Sequence, residues 1–237
     1  MKTYKPHGLP GRLLVLDGAG GAGKGTQYAL LVNRLIERYG TERVSGLHFP
    51  RYDSAPYGPM IRTYLDGGYG DTNKVDPYLA GLLYAQDRAG FADACRQTLA
   101  AGGIIVIDRY VGSNLAYQGV KLLDSKRREA YLNWQMDLEY RMLNIVREDL
   151  LILLHAPAEV SQAAIDRRAS ETNIADEGRD GHEINNGHMQ GVISLYQELV
   201  TRIPYWDKID CLAKDGSMRS RQDISDAIWK IVEPVLA

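Results

Sequence analysis

Gly18-Ala19-Gly20-Gly21-Ala22-Gly23-Lys24-Gly25-Thr26 follows directly on the apolar run Leu13–Leu16 and leads directly into Tyr28, Leu31, Val32, Leu35, Ile36 and Tyr39, which recur at helical spacing. A short run of Leu and Val without alternation predicts a strand covered on both faces. The periodic residues predict an amphipathic helix over 25–39. Between the two, glycines let the backbone wrap an anion with its N–H groups, because a Cβ would obstruct that approach. The helix N-terminus adds partial positive charge and Lys24 a full one. Strand, glycines, lysine and helix in this order predict a phosphate cradle made by Gly18, Gly20, Gly21, Ala22, Gly23, Lys24, Gly25 and Thr26, rather than a turn that binds nothing.

Working outward, four more apolar runs stand at Val44–Phe49, Ile104–Ile107, Leu150–Leu154 and Ile209–Ala213, with helical patterns between them. Near the C-terminus Ile224, Ala227, Ile228, Ile231 and Val232 share one helix face, and Ser220 and Asp223 precede them with capping-box spacing. Such alternation implies a five-stranded parallel sheet between two helix layers, a three-layer α/β/α fold whose ligands bind beyond the carboxyl ends of the strands. A length of 237 residues suits one domain, residues 1–237, and the polar, charged stretch Asp166–Glu183 is an excursion within it. A formal net charge of -2 offers no broad field for a nucleic-acid polymer, so an anionic ligand must be gripped locally. Cys95 and Cys211 make neither a disulfide framework nor a metal spacing, as expected of buried thiols in a reducing compartment. No apolar run approaches the ~20 residues of a membrane span, and no signal-peptide pattern opens the chain. A cytoplasmic protein without membrane contact is the expectation.

Gly25 stands where Walker A strings place the Ser or Thr whose hydroxyl binds Mg2+. The string Gly23-Lys24-Gly25-Thr26-Gln27 resembles adenylate kinases and other nucleoside monophosphate kinases, in which the metal is held largely through water and nearby carboxylates. Asp17 and Asp108 end the first and third strands and are the candidate metal carboxylates. Asp17 is equally a candidate for a hydrogen-bonding role. A second nucleotide has its own candidates. Arg51 in Phe49-Pro50-Arg51-Tyr52 and Arg109 in Asp108-Arg109-Tyr110 stand at strand ends, where two guanidinium forks can grip an acceptor phosphate. Tyr84 and Arg88, four apart on a helix, can stack on a base and hydrogen-bond its edge.

The strings Phe49-Pro50-Arg51, Asp87-Arg88-Ala89-Gly90 and Asp108-Arg109-Tyr110-Val111-Gly112-Ser113-Asn114-Leu115-Ala116-Tyr117 resemble the thymidylate kinase family, in order from about Leu13 to Leu154 and more weakly beyond. The resemblance implies a P-loop kinase fold with a lid, ATP as donor, Mg2+, dTMP as acceptor and a homodimer. It implies that Arg51 and Arg109 bind the dTMP phosphate, that Asp108 serves the phosphate and metal region, and that Tyr84 stacks on a base whose carbonyl Arg88 reads. Ser113 and Asn114 join the substrate set, Asn114 near the base. Tyr117 lies under the sugar, disfavouring a ribose 2′-hydroxyl, and Tyr52 lines the same pocket. Subunit pairing in the family points to Tyr131–Leu143, with Trp134 and Met136, although a buried core accounts for those side chains equally well.

Two departures stand out. Gly20 and Gly21 occupy positions where the family commonly has an acidic residue or an Asp-Arg pair. Asn144-Ile145-Val146-Arg147-Glu148-Asp149 replaces a Leu-Pro-x-Pro-Asp lead into the fourth strand, with an effect expected only on a connecting loop. Phosphoryl transfer needs alignment and positive charge on the group in flight. With Lys24 as the only cation of the P-loop, the remaining charge is expected from a lid over 166–183, as in family members without a P-loop arginine. Arg167 and Arg168 are the candidate transition-state ligands, Arg179 reaches the donor nucleotide, and Asp180 and Glu183 form the lid-end acidic pair beside His182. A phosphate acceptor is already anionic, so no general base is required.

Rival functions are separable. Adenylate kinases place Phe-Pro-Arg after an Asp-Gly on the third strand, whereas here it follows the second. A nucleoside kinase needs a base for an acceptor hydroxyl, and no Glu-Arg-Ser string ends the third strand. A P-loop switch or regulatory ATPase gives Tyr84, Arg88, Asn114 and Tyr117 no reason to converge.

Overall fold

The computed structural model describes residues 6–172 and 186–236, without the side chains of 168–172 and 186. At the centre lies a parallel sheet of β1 (Arg12–Asp17), β2 (Val44–His48), β3 (Ile104–Asp108), β4 (Leu150–His155) and β5 (Trp206–Asp210), in spatial order β2-β3-β1-β4-β5. The helices are α1 (Lys24–Tyr39), α2 (Tyr57–Leu65), α3 (Pro77–Ala89), α4 (Ala92–Ala100), α5 (Val111–Gly119), α6 (Ser125–Met136), α7 (Ala158–Thr172), α8 (Asn186–Arg202) and α9 (Arg221–Leu236). A π-helical turn, Asp137–Met142, prolongs α6.

Side chains alternate across the sheet with a period of two, and both faces are apolar. Leu13 and Val15, with Ile105, Ile107, Leu151 and Leu153, meet Val111 and Leu115 of α5 and Val192 and Leu195 of α8. Leu14, Leu16, Val106 and Ile152 face the other way, onto Leu31 and Leu35 of α1 and Ile228 and Val232 of α9. Burial of each such side chain contributes about 1.5–3 kcal/mol, which is why the central strands carry almost nothing polar. The capping spacing before α9 is realised: the Asp223 N–H donates to Ser220 Oγ at 3.0 Å, and the Ser220 hydroxyl donates to Asp223 Oδ2 at 2.7 Å.

Several expectations change. The fifth strand is Trp206–Asp210, three residues before the apolar run that pointed to it, with Trp206 paired to Leu151 and Ile209 to Leu154. It is an edge strand with Asp207 and Lys208 in water, so its start reads as polar. Residues Asp166–Thr172 continue α7 rather than forming a loop. The lead into β4 is more than a connection. Glu148, fully buried, accepts from the Tyr140 hydroxyl at 2.8 Å and the Trp206 indole at 3.0 Å, and burial pushes its carboxyl above the usual range. Asp149 accepts from the Leu13 N–H and bonds the His7 ring, both at 2.8 Å, joining the bases of β1 and β4 to the N-terminal segment. Tyr131 is fully buried and Trp134 packs 4.7 Å from Tyr78, so these side chains serve the core. Cys95 and Cys211 are buried and free. Among the described residues no helix is long and apolar enough to cross a membrane.

Candidate active site

β1 ends at Asp17, and the chain turns into α1 through three glycines at positive φ: Gly18 (141°), Gly21 (76°) and Gly23 (83°). Gly23 caps α1 with no side-chain acceptor, the arrangement in which helix amides serve an external anion. A Cβ at Gly18 would stand 2.5 Å from the Leu154 carbonyl oxygen, and one at Gly21 only 2.1 Å from that of Ser161. The start of α7 therefore occupies the space a side chain at Gly21 would need, which accounts physically for the absence of a P-loop arginine. Lys24 is buried and reaches back across the loop to donate to the Ala19 carbonyl at 3.0 Å. Gly25 and Thr26 lie exposed in the first turn of α1.

Strand register brings the two candidate carboxylates together. Leu16 pairs with Asp108, and the Arg109 N–H donates to the Leu16 carbonyl at 3.0 Å. Asp17 is fully buried, and its Oδ1 accepts from the Gly18 N–H (2.9 Å), the Ser113 hydroxyl (2.7 Å) and the Tyr196 hydroxyl (2.7 Å). Three donors on Oδ1 suit the hydrogen-bonding role, while the buried Oδ2, without a partner among the described residues, suits a metal carboxylate equally. Asp108 has one buried oxygen, Oδ1, without a partner among the described residues, while Oδ2 lies 3.4 Å from Nδ1 of His48. Burial opposes ionisation of Asp108, but the His48 hydrogen bond and the charges of Lys24 and Arg109 outweigh it and hold the carboxyl below its ordinary range. An ionised carboxylate with an orphaned oxygen beside the phosphate cradle fits a Mg2+ held through water and phosphate oxygens. Among the described residues no three His, Cys, Asp or Glu are placed to enclose an ion.

Next to the cradle opens a cleft that is partly continuous with solvent. One end holds Arg109, Ser113 and Tyr117, the other Tyr84, Arg88 and Asn114, and Tyr52 lies on the wall. Arg109 adopts φ 66°, and among the described residues its Nη1 makes long contacts of 3.4 Å, to Gly18 O and Ser113 Oγ. Its guanidinium carbon lies 5.2 Å from the centre of the Tyr117 ring. The Tyr117 hydroxyl accepts from the Gly20 N–H at 3.2 Å, tying the cleft to the phosphate loop. At the far end Tyr84 packs edge-on to Tyr64, and Arg88 is buried in a forked pair with Glu139 of the π-turn, at 2.6 and 2.5 Å.

Arg51 stands at the margin of the cleft, between Pro50 and Tyr52 of its lining. It folds onto Asp87, whose carboxylate accepts from the Arg51 backbone N–H at 2.8 Å and from Nε at 3.0 Å, while Nη2 donates to the Asp87 carbonyl. A Cβ at Gly90 would stand 2.8 Å from that Nη2. Asp87 thus engages two of the three guanidinium nitrogens and fixes the turn that carries the arginine. Removal of this charged grip by Asp87→Asn is expected to raise KM for the phosphate-bearing acceptor by roughly ten- to hundredfold. The KM for the P-loop nucleotide, measured in the same steady-state assay, is expected to stay put.

Of the expected lid residues, Arg167 stands exposed on α7, the Arg168 side chain lies outside the described atoms, and Arg179, Asp180, His182 and Glu183 lie outside the described residues. Four residues of the site escaped sequence reasoning. Asp87 sits inside a quoted motif, and Gln118, on the cleft wall, comes one turn after Asn114. Glu139 follows Tyr131 and Gln135 at helical spacing. His48 gave no signal, being one exposed histidine at a strand end.

A family model described as thymidylate kinase matches residues 16–204. A thymidylate kinase of Thermomicrobium roseum is 31% identical over 226 residues, covering 94% of this chain and 95% of that protein. One of Mycobacterium tuberculosis is 29% identical over 192 residues, covering 80% of this chain and 86% of the other. Among solved structures, a thymidylate kinase of Candida albicans superposes with TM-score 0.71 at 19% identity, over 94% of this chain and 92% of that one, a likeness of fold.

Proposed function

This chain belongs to the thymidylate kinase family, and from that premise we propose that it moves the γ-phosphoryl group of ATP to dTMP, giving dTDP and ADP. One observation carries the proposal: the glycine-rich loop and the cleft meet at Arg109, which contacts Gly18 of the loop and lies against Tyr117 of the cleft. Two phosphate tails can therefore face each other across a single guanidinium.

In this reading the Gly18–Thr26 loop, through the amides not already given to Asp17 and Tyr117, and the Lys24 ammonium hold the donor phosphates and stabilise the charge that develops between donor and acceptor. Arg51 and Arg109 hold the acceptor phosphate in line. Tyr84 stacks on the base, Arg88 and Asn114 read its edge, Ser113 and Tyr52 complete the wall, and the Tyr117 ring lies beneath the sugar. Mg2+, when bound, would neutralise phosphate charge beside Asp108, with Asp17 held as a hydrogen-bonded support behind it. Since Gly21 can carry no side chain, Arg167 or Arg168 supplies the remaining transition-state charge, Arg179 attends the donor and Glu183 the acceptor, within a lid over 166–183 that excludes water. The chain works as one domain, in the cytoplasm, as a homodimer.

ADP release measured with dTMP, dUMP, dCMP and AMP tests the proposal. The expected result is turnover that requires an acceptor and is fastest with dTMP. Acceptor-independent turnover would point to a regulatory ATPase, and a preference for AMP to an adenylate-type kinase.

A further inference from the structure

Glu139 is the most heavily used carboxylate among the described residues, and nothing in phosphoryl transfer requires it. It lies on the π-turn after α6, wholly buried, and takes four donors: Arg88 Nε at 2.6 Å, Arg88 Nη2 at 2.5 Å, Gln135 Nε2 at 2.7 Å and Asn114 Nδ2 at 3.2 Å. A carboxylate has about four lone-pair sites and donates nothing. The second N–H of the Asn114 amide goes to the Gly81 carbonyl at 2.9 Å, another pure acceptor. Both amide hydrogens are therefore committed away from the cleft. Asn114 Oδ1 is left buried with no partner among the described residues, on a side chain that lines the cleft. A buried orphan acceptor is costly unless a ligand donates to it.

We infer that Glu139 is a positioning residue that sets the polarity of the base-reading face: by accepting only, it turns the Asn114 oxygen and the outer edge of Arg88 toward the acceptor base. An acceptor beside a donor complements the adjacent N3–H and C4 carbonyl of thymine or uracil. Cytosine presents the reverse, a bare N3 beside an amino group, and meets like against like at both points. The inference rests on the acceptor cleft assigned above. It concerns the hydrogen-bonding edge of the base and is silent on the 5-methyl group.

Glu139→Gln keeps the shape and brings a donor into a site already filled with donors. The Gln oxygen is expected to keep the donors from Asn114, Gln135 and Arg88 Nη2, while the new N–H2 meets Arg88 Nε, donor against donor, and pushes the guanidinium off the base edge. The kcat/KM ratio of dTMP to dCMP is expected to fall at least about tenfold, while the ratio of dTMP to dUMP, which share an edge, stays unchanged. Glu139→Asp, still a pure acceptor, is expected to lower both rates and keep the dTMP-to-dCMP ratio. A Glu139→Gln enzyme that loses rate equally with dTMP and dCMP overturns the inference and leaves Glu139 a packing residue. The unaltered chain supplies a readout that needs no variant to fold. The 5′-monophosphate of N3-methylthymidine, lacking the donor, is expected to be at least about a hundredfold poorer than dTMP. Its use at an equal rate would mean that the Asn114 oxygen does not face the base, and would sink the inference. If the unaltered chain phosphorylates no pyrimidine monophosphate at all, it is the assignment of the cleft that fails.

Discussion

Lys24→Met is expected to lower kcat by roughly a hundred- to a thousandfold, the loss typical of removing one preorganised charge from a developing transition state. The substitution keeps the stem and the volume of a buried side chain, so the strand-loop-helix turn should persist and the variant should melt close to the unaltered chain. Lys24 leans on the Ala19 carbonyl at 3.0 Å, inside the loop it serves. Its ammonium is thus pre-placed, and little reorganisation is needed as charge builds on the phosphoryl oxygens. Single-turnover kinetics with saturating ATP and dTMP are the deciding measurement. An unchanged chemical step would mean that the cradle binds through backbone amides alone.

Arg109→Ala is expected to reduce kcat/KM for dTMP about a thousandfold, with the KM for ATP changed only a fewfold. The guanidinium touches both the cradle and the cleft, and its contacts of 3.4 Å are long enough for a phosphate to displace. Arg109→Lys is expected to restore only part of the loss, because an ammonium cannot make the planar fork. The backbone adds an independent test. At φ 66° any side chain at this position is strained, so Arg109→Gly should be more stable than Arg109→Ala by about 1 kcal/mol in urea unfolding, although both lack the guanidinium. Equal stability of the two would remove the argument that function holds this residue in a disfavoured conformation.

Much of this arrangement was legible in the chain itself. Four of the five strands announced themselves because their residues are buried on both faces or end in a motif, and the string from Gly18 to Thr26 pointed to a phosphate cradle through glycines of which Gly18 and Gly21 leave no room for a Cβ. The fifth strand misled because an edge strand keeps polar residues on its open face. Within the site, residues whose chemistry points at a ligand were found, and those whose chemistry points at another side chain were not. Arg88 is conspicuous as a charge on a helix face, whereas Glu139 acts from 51 positions away through a fold that no local pattern announces. Asp87 was quoted only as the neighbour of Arg88. His48 reaches Asp108 solely because β2 lies beside β3, a fact of strand order.

Asp87 and Arg88 are consecutive on α3, yet the first holds Arg51 and the second lines the cleft in its pair with Glu139. On the proposed assignment of Arg51 to the acceptor phosphate and Arg88 to the base, a single peptide unit of one helix gauges the length of the acceptor between them. An acceptor longer by one phosphoryl group is then expected to leave Arg88 or overrun Arg51, so dTDP is expected to be a far poorer acceptor than dTMP.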